Sequence, residues 1–282
     1  MPRVGTIEGL SKAVRTFDAT PLGLQVDPEA DAVVRESLRR TGLVLLGEVH
    51  GVRQTPVLLD ELIAWFGLGG IALEWNQDLR PWLDDWLTDG VLADSGWEYP
   101  QAEVWCGDGR LTAGHLALLR RWAAAGILIT LMDGPVIMKP RPGESQQETS
   151  RRWWGERDAE MADRVLAAPD VPGGRLVVAG NMHTLVGPLP ADDPRLSEVG
   201  TPMGVELARQ RPGLRSIGCA YGPGRFYNNG PRRSRRDGLR GHGSDGPRLI
   251  VQDGALQLEV PSPREATVPH RDLPTEMIGI RV

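Results

Sequence analysis

The chain has 282 residues, 40% of them hydrophobic and 24% charged, which is ordinary for a globular protein and enough for one large α/β domain. Its net charge of −5 argues against general nucleic-acid binding, and two cysteines, Cys106 and Cys219, cannot build a disulfide framework. No signal-peptide core and no bilayer-length apolar run are present, so the expected location is cytoplasmic, with no membrane and no nucleic-acid partner.

Asp27-Pro28 predicts a helix start, an N-cap followed by proline at the first position, running to about Arg40 with Val33, Val34 and Leu38 inward. Leu43-Val44-Leu45-Leu46 is an apolar run that stops at Gly47-Glu48-Val49-His50-Gly51, the pattern of a buried parallel strand ending at ionisable groups. Thr55-Pro56 repeats the helix-start signal, with Val57, Leu58, Leu62, Ile63 and Trp65 as its core face. Ile71 to Trp75 is the next short strand and ends at Glu74; Trp82, Leu83 and Trp86 follow at helical spacing.

Residues from about 90 to 110 lack periodicity and read as an irregular, Trp-rich insertion carrying Trp97, Tyr99 and Trp105. Thr112 caps a further helix with Leu116, Leu119 and Trp122 inward. Ile127 to Asp133 is a third strand ending at an acid, and a helix from about Glu148 to Ala167 carries Arg157 and Asp158. Arg175 to Gly180 is a fourth strand, running into Asn181-Met182-His183, and Arg215 to Tyr221 a fifth.

Strands alternating with helices imply right-handed crossovers: an α/β protein with a mainly parallel central sheet flanked by helices. After Gly222 the pattern changes. Residues 224–246 are rich in Arg and Gly, cannot bury a core, and are expected to be mobile. Arg248 to Gln252 and Ala255 to Val260, joined by Asp253-Gly254, read as a C-terminal β-hairpin. The expectation is a single α/β domain over residues 1–282 with those two irregular stretches inside it.

Parallel strands point the same way, so His50, Glu48, Glu74, Asp133 and His183 should meet at one rim, where open α/β sheets hold their ligands. Such a cluster could hold a divalent metal through His50, Glu74 and His183, or use a carboxylate-oriented histidine to activate water directly. For Asp133 the competing reading is a turn former before Gly134-Pro135, and for Arg157 a surface helix charge beside Arg151 and Arg152.

The blocks Gly47-Glu48-Val49-His50-Gly51, Glu74, Arg157-Asp158-x-x-Met161-Ala162 and Gly180-Asn181-Met182-His183-Thr184, in this order, resemble the erythromycin esterase, ChaN and TIKI superfamily over roughly Leu43 to Gly224. The resemblance implies an α/β core with His50 as general base or metal ligand and Glu48 and Glu74 as its carboxylate partners. It makes His183 a second ligand or acid, and Arg157 an oxyanion stabiliser or the residue that orients Glu74. Arg53-Gln54 stands where the haem-binding branch carries a further histidine, which counts against haem.

Three functions compete. The first is a hydrolase cleaving an ester or amide in a natural product or peptide, metal-assisted or metal-free. The second is a non-hydrolytic proton-transfer enzyme, an epimerase or cyclase, on the same kind of small-molecule or peptide substrate. The third is a haem- or metal-binding protein. The arginines from Arg232 to Arg240 read either as a solvated loop or as an electrostatic latch for an anionic substrate.

Overall fold

A computed structural model describes residues 3–4, 6–92, 108–134, 139–187, 199–228, 231–234 and 246–269. Most of the Trp-rich insertion, including Trp97, Trp105 and Cys106, and the arginines from Arg235 to Arg240 lie outside them. Seven helices are described: α1 (Ile7–Arg15), α2 (Pro28–Thr41), α3 (Thr55–Phe66), α4 (Arg80–Asp89), α5 (Ala113–Ala124), α6 (Gln146–Ala167) and α7 (Met203–Gln210). The strands are β1 (Arg3–Val4), β2 (Gln25–Val26), β3 (Leu43–Glu48), β4 (Gly70–Asn76), β5 (Leu128–Asp133), β6 (Arg175–Gly180), β7 (Ser216–Tyr221), β8 (Gly224–Tyr227), β9 (Pro231–Ser234), β10 (Arg248–Gln252), β11 (Ala255–Val260) and β12 (Val268–Pro269). No described helix is long and apolar enough to cross a membrane.

The main sheet has eight strands in the order β2-β10-β11-β7-β3-β6-β4-β5. Its pairs are parallel except β10–β11, the expected C-terminal hairpin. Asp253 (φ 51°) and Gly254 (φ 77°) both take the left-handed region that a two-residue hairpin turn of this hand demands.

Period-two alternation sends successive side chains of the central strands into two separate cores. Val44 and Leu46 of β3, with Leu176 and Val178 of β6, join a large cluster under α1 to α5. Leu43 and Leu45, with Val177 and Ala179, join a smaller one under α6 and α7. The chain therefore leaves β3 toward one face, through α3, and leaves the neighbouring β6 toward the other, through α7. Such a divergence opens a crevice beyond the strand ends.

Several local expectations need correction. Asp27 holds the expected N-cap position with Pro28 in the first turn, but its side chain makes no cap bond; its Oδ1 instead accepts from Arg248 Nη2 at 3.0 Å. Thr55 lies inside α3, whose N-cap position is Gln54. The long helix starts earlier than Glu148, because Ser145 and Glu148 form a reciprocal capping box. Trp65 is 46% exposed rather than in the core, its indole N–H held by Asp31 Oδ1 at 2.9 Å. The stretch from Gly224 opens with an antiparallel pair, β8–β9, that its composition hides.

That pair matters for the crevice. Tyr227 N donates to Gly51 O at 3.0 Å, and Gly51 N donates to Gly109 O at 2.9 Å, so three backbone segments meet one residue after His50. Gly51 has φ 72°, and a Cβ there would lie 1.8 Å from Tyr227 O, so glycine alone fits.

Candidate active site

Four adjacent strands supply the rim. Glu48 is paired in register with Gly180, and Leu73 with Val178, so Gly180 of β6 lies between Glu48, which ends β3, and Glu74, two residues before the end of β4. Asn76 pairs with Asp133 on the outer strand β5. His50 and His183 follow within a few residues of the ends of β3 and β6. All six residues singled out by sequence, His50, Glu48, Glu74, Asp133, Arg157 and His183, are buried and come together here.

His50 Nδ1 lies 3.1 Å from Glu48 Oε1, so an Nδ1–H donates to the carboxylate and Nε2 is turned toward the crevice. Nε2 is 3.7 Å from Glu74 Oε2, too far for a direct hydrogen bond. Gly180 forms the floor between them: a Cβ on it would sit 3.4 Å from His50 Nε2, 3.6 Å from His183 Cδ2 and 3.7 Å from Glu74 Oε2. The missing side chain leaves space where three functional groups converge.

Glu74 is the most heavily held group. Its Oε1 accepts from Arg157 Nη2 at 2.5 Å and pairs with Arg110 Nη1 at 3.0 Å, while its Oε2 accepts from Gly180 N at 2.7 Å. Burial pushes its pKa up, but the positive charge around it, that of Arg110 above all, outweighs that and holds it well below the carboxylate range. Glu48 goes the other way. Burial raises it against the contact with His50, and its Oε2 has no hydrogen-bond partner among the described residues. For His50, burial lowers the pKa, but Asp108, Glu48 and Glu74 more than compensate, so it lies above its ordinary value.

Arg157 is 3% exposed, which removes the surface-charge reading. Its Nε and Nη2 fork onto Asp133 at 3.0 and 2.6 Å, Nη2 also reaches Glu74, and Nη1 lies 3.1 Å from His183 Nε2. Arginine has only donors, so His183 Nε2 must accept, and the ring is neutral with its proton on Nδ1. That proton goes to Asp158 Oδ1 at 2.7 Å, and Asp158 Oδ2 accepts from Met203 N at 2.7 Å. Trp154 stacks on the His183 ring at 4.6 Å between centroids.

Three of these residues escaped the sequence reading in function. Arg110 donates to the Glu74 carbonyl, pairs with Asp133 Oδ2 at 3.2 Å, and is held by Asp108, which accepts from its Nε at 2.7 Å. Asp158 belongs to the Arg157-Asp158-x-x-Met161-Ala162 block, which by itself assigns it no role. His115, 2% exposed, packs edge-on against Trp75, with Nδ1 3.0 Å from Thr112 Oγ1.

His115 sets an acid limit on stability. Burial, with the charge of His50, pushes its pKa down to about 3. Below the ordinary histidine value the unfolded chain binds a proton that the folded one refuses, so stability falls as pH drops toward about 3. We expect a loss of ~1.4 kcal/mol per pH unit from this group. Urea midpoints of wild type and His115→Gln between pH 6.5 and 4 check it: the variant should lose about one proton's worth of slope.

The trio His50, Glu74 and His183 does not fit a metal in this arrangement. The Arg157 guanidinium takes the His183 Nε2 lone pair and shares Glu74 Oε1 with Arg110, so the donors a cation needs already face two fixed positive charges. Among the described residues no group of three His, Cys, Asp or Glu side chains is placed to hold a metal ion.

No family model and no curated protein matches the chain. Solved structures do share its fold. A Bacillus cereus protein is 11% identical, with a TM-score of 0.56, over 93% of this chain and 99% of that one. A succinoglycan biosynthesis protein is also 11% identical, with a TM-score of 0.57 over the same shares. A mutant of the erythromycin esterase EreC in its open conformation is 14% identical, with a TM-score of 0.54, over 85% of this chain and 95% of that one. The likeness is one of fold.

Proposed function

We propose that this protein is a hydrolase that cleaves an ester or amide in a natural product or peptide, with water activated by His50 and no step routed through a metal. The observation that carries this reading is the His50 imidazole, tethered by Glu48 on one nitrogen and facing ionised Glu74 across a side-chain-free floor with the other. A gap of 3.7 Å between His50 Nε2 and Glu74 Oε2 lets one water oxygen lie within hydrogen-bond reach of both. The fold shared with an erythromycin esterase supports the assignment to hydrolysis.

In this mechanism Glu74 accepts one proton of the water in a hydrogen bond and orients it. His50 Nε2 takes the other proton as the oxygen attacks the substrate carbonyl carbon. The tetrahedral intermediate collapses by breaking its bond to the alcohol oxygen or amine nitrogen, and His50 Nε2 returns the proton to that leaving atom. Glu48 keeps the ring in the required tautomer and steadies the imidazolium. Arg157, Arg110 and Gly180 N hold Glu74 ionised and fixed; His183, neutral between Asp158 and Arg157, is a positioning residue for that guanidinium.

Turnover of an ester or amide panel in oxygen-18 water tests the reaction class. One labelled oxygen should enter the acid product for each bond cleaved. Solvent deuterium appearing beside a carbonyl in uncleaved substrate would instead assign the same base to proton transfer, and the hydrolase reading would fall.

A further inference from the structure

The opposite end of the same central strands carries a second concavity, unrelated to the crevice. Leu43 and Arg175 are register partners that begin β3 and β6, and both line a cavity of about 660 Å³ there. Its walls include Arg35, Arg39, Arg40, Arg175 and Arg211, and the acid Asp170. The volume falls in the range that takes a small organic ligand.

Arg175 is the unusual member. It is 3% exposed and makes no ion pair shorter than 4 Å to a described carboxylate. Its Nη1 donates to Val165 O at 3.3 Å and its Nη2 to Pro169 O at 2.6 Å, which caps the C-terminus of α6. Capping does not account for Nε, which is buried and without a partner. Asp170 acts on Arg175 electrostatically without forming an ion pair, and a buried guanidinium so weakly compensated is costly.

The charges do not balance within the cavity. Arg35 is paired with Asp31 at 2.8 Å and Arg39 with Glu36 at 2.7 Å. Arg40, Arg175 and Arg211 remain, against Asp170 and the C-terminal ends of α2 and α6, each of which counts as roughly half a negative charge. A surplus of about one positive charge is left on the cavity wall, and guanidinium groups are suited to holding a tetrahedral oxyanion. We propose that this cavity binds a phosphate group, free or carried on a small molecule, held by Arg175, Arg40 and Arg211.

Thermal unfolding of the full chain with inorganic phosphate, with ribose 5-phosphate, and with chloride at matched ionic strength tests this. Either phosphate at a hundredfold excess over its Kd should raise Tm by roughly 5 °C, and chloride should not. A larger shift with the sugar phosphate assigns the site to a phosphorylated metabolite; equal shifts at equal concentration assign it to the free ion. The double variant Arg40→Gln/Arg211→Gln, altered only at exposed positions, should bind at least tenfold more weakly. No phosphate-specific shift, or one unchanged in the double variant, would leave Arg175 a helix-capping cation and end the proposal. Because the readout is binding, it is independent of the reaction at His50.

Discussion

His50→Ala should lower kcat/KM by roughly a thousandfold while the protein stays folded, the loss expected when a general base is removed and water must find its own proton acceptor. Folding should tolerate the change. Glu48 loses its hydrogen-bond partner, but with the imidazole gone burial raises its pKa further, which limits the cost of the orphaned carboxyl. The same assignment fixes the pH profile. His50 works unprotonated and its pKa lies above the ordinary value, so kcat/KM should rise with pH through a limb above about 6.5. Asp108 is the largest influence raising that pKa, and its hydrogen bonds among the described residues go to Arg110. Asp108→Asn should therefore move the limb to lower pH. Full activity in His50→Ala, or a limb that does not move in Asp108→Asn, would take the base role away from His50.

The rim itself was readable because each strand is a short apolar run ended by an ionisable residue, and a parallel sheet converts that repeated local pattern into a single place. Leu43 to Glu48 and Arg175 to Gly180 are buried almost throughout, so their periodicity is that of a two-sided strand and their ends are unmistakable. Asp158 had a usable signal that went unread. With Met161, Ala162 and Val165 it occupies the apolar stripe of α6 at positions i, i+3, i+4 and i+7, and an acid on such a stripe needs an internal partner. Arg110 and Asp108 had no such signal. They precede Thr112 in a stretch without periodicity, and the pairing of Gly109 with Gly51 and the bond from Trp75 Nε1 to Arg110 O carry them to Glu74. The β8–β9 pair was hidden for a related reason: glycine, proline and arginine dominate the stretch, and β8 is held by backbone bonds to Gly51 and Pro263 and by the burial of Tyr227 against Ala266 and Val268, contacts remote in sequence.

Arg157→Met should be the most damaging single change in the molecule. The methionine fills the volume but leaves Glu74 and Asp133, 2% and 0% exposed, facing each other with only Arg110 between them. Breaking a buried ion pair from one side costs about 3–5 kcal/mol, a large part of the stability of an ordinary domain. Glu74 then loses one of the charges that keep it ionised, so its pKa rises. A carboxylate with a depressed folded pKa stabilises the fold above its unfolded pKa and loses that contribution as pH falls through the folded value. In the variant this acid loss should begin at higher pH. Arg157→Lys separates charge from shape. One ammonium restores part of the compensation but cannot fork onto Asp133 while reaching Glu74 and the His183 Nε2 lone pair. Urea unfolding should thus rank wild type above Lys above Met, with turnover in the Lys variant still low because Glu74 is no longer fixed opposite His50. Were Arg157→Met to unfold at the wild-type urea concentration, the guanidinium would not be what holds the carboxylates together, and Glu74 would owe its ionisation to Arg110 and the Gly180 amide.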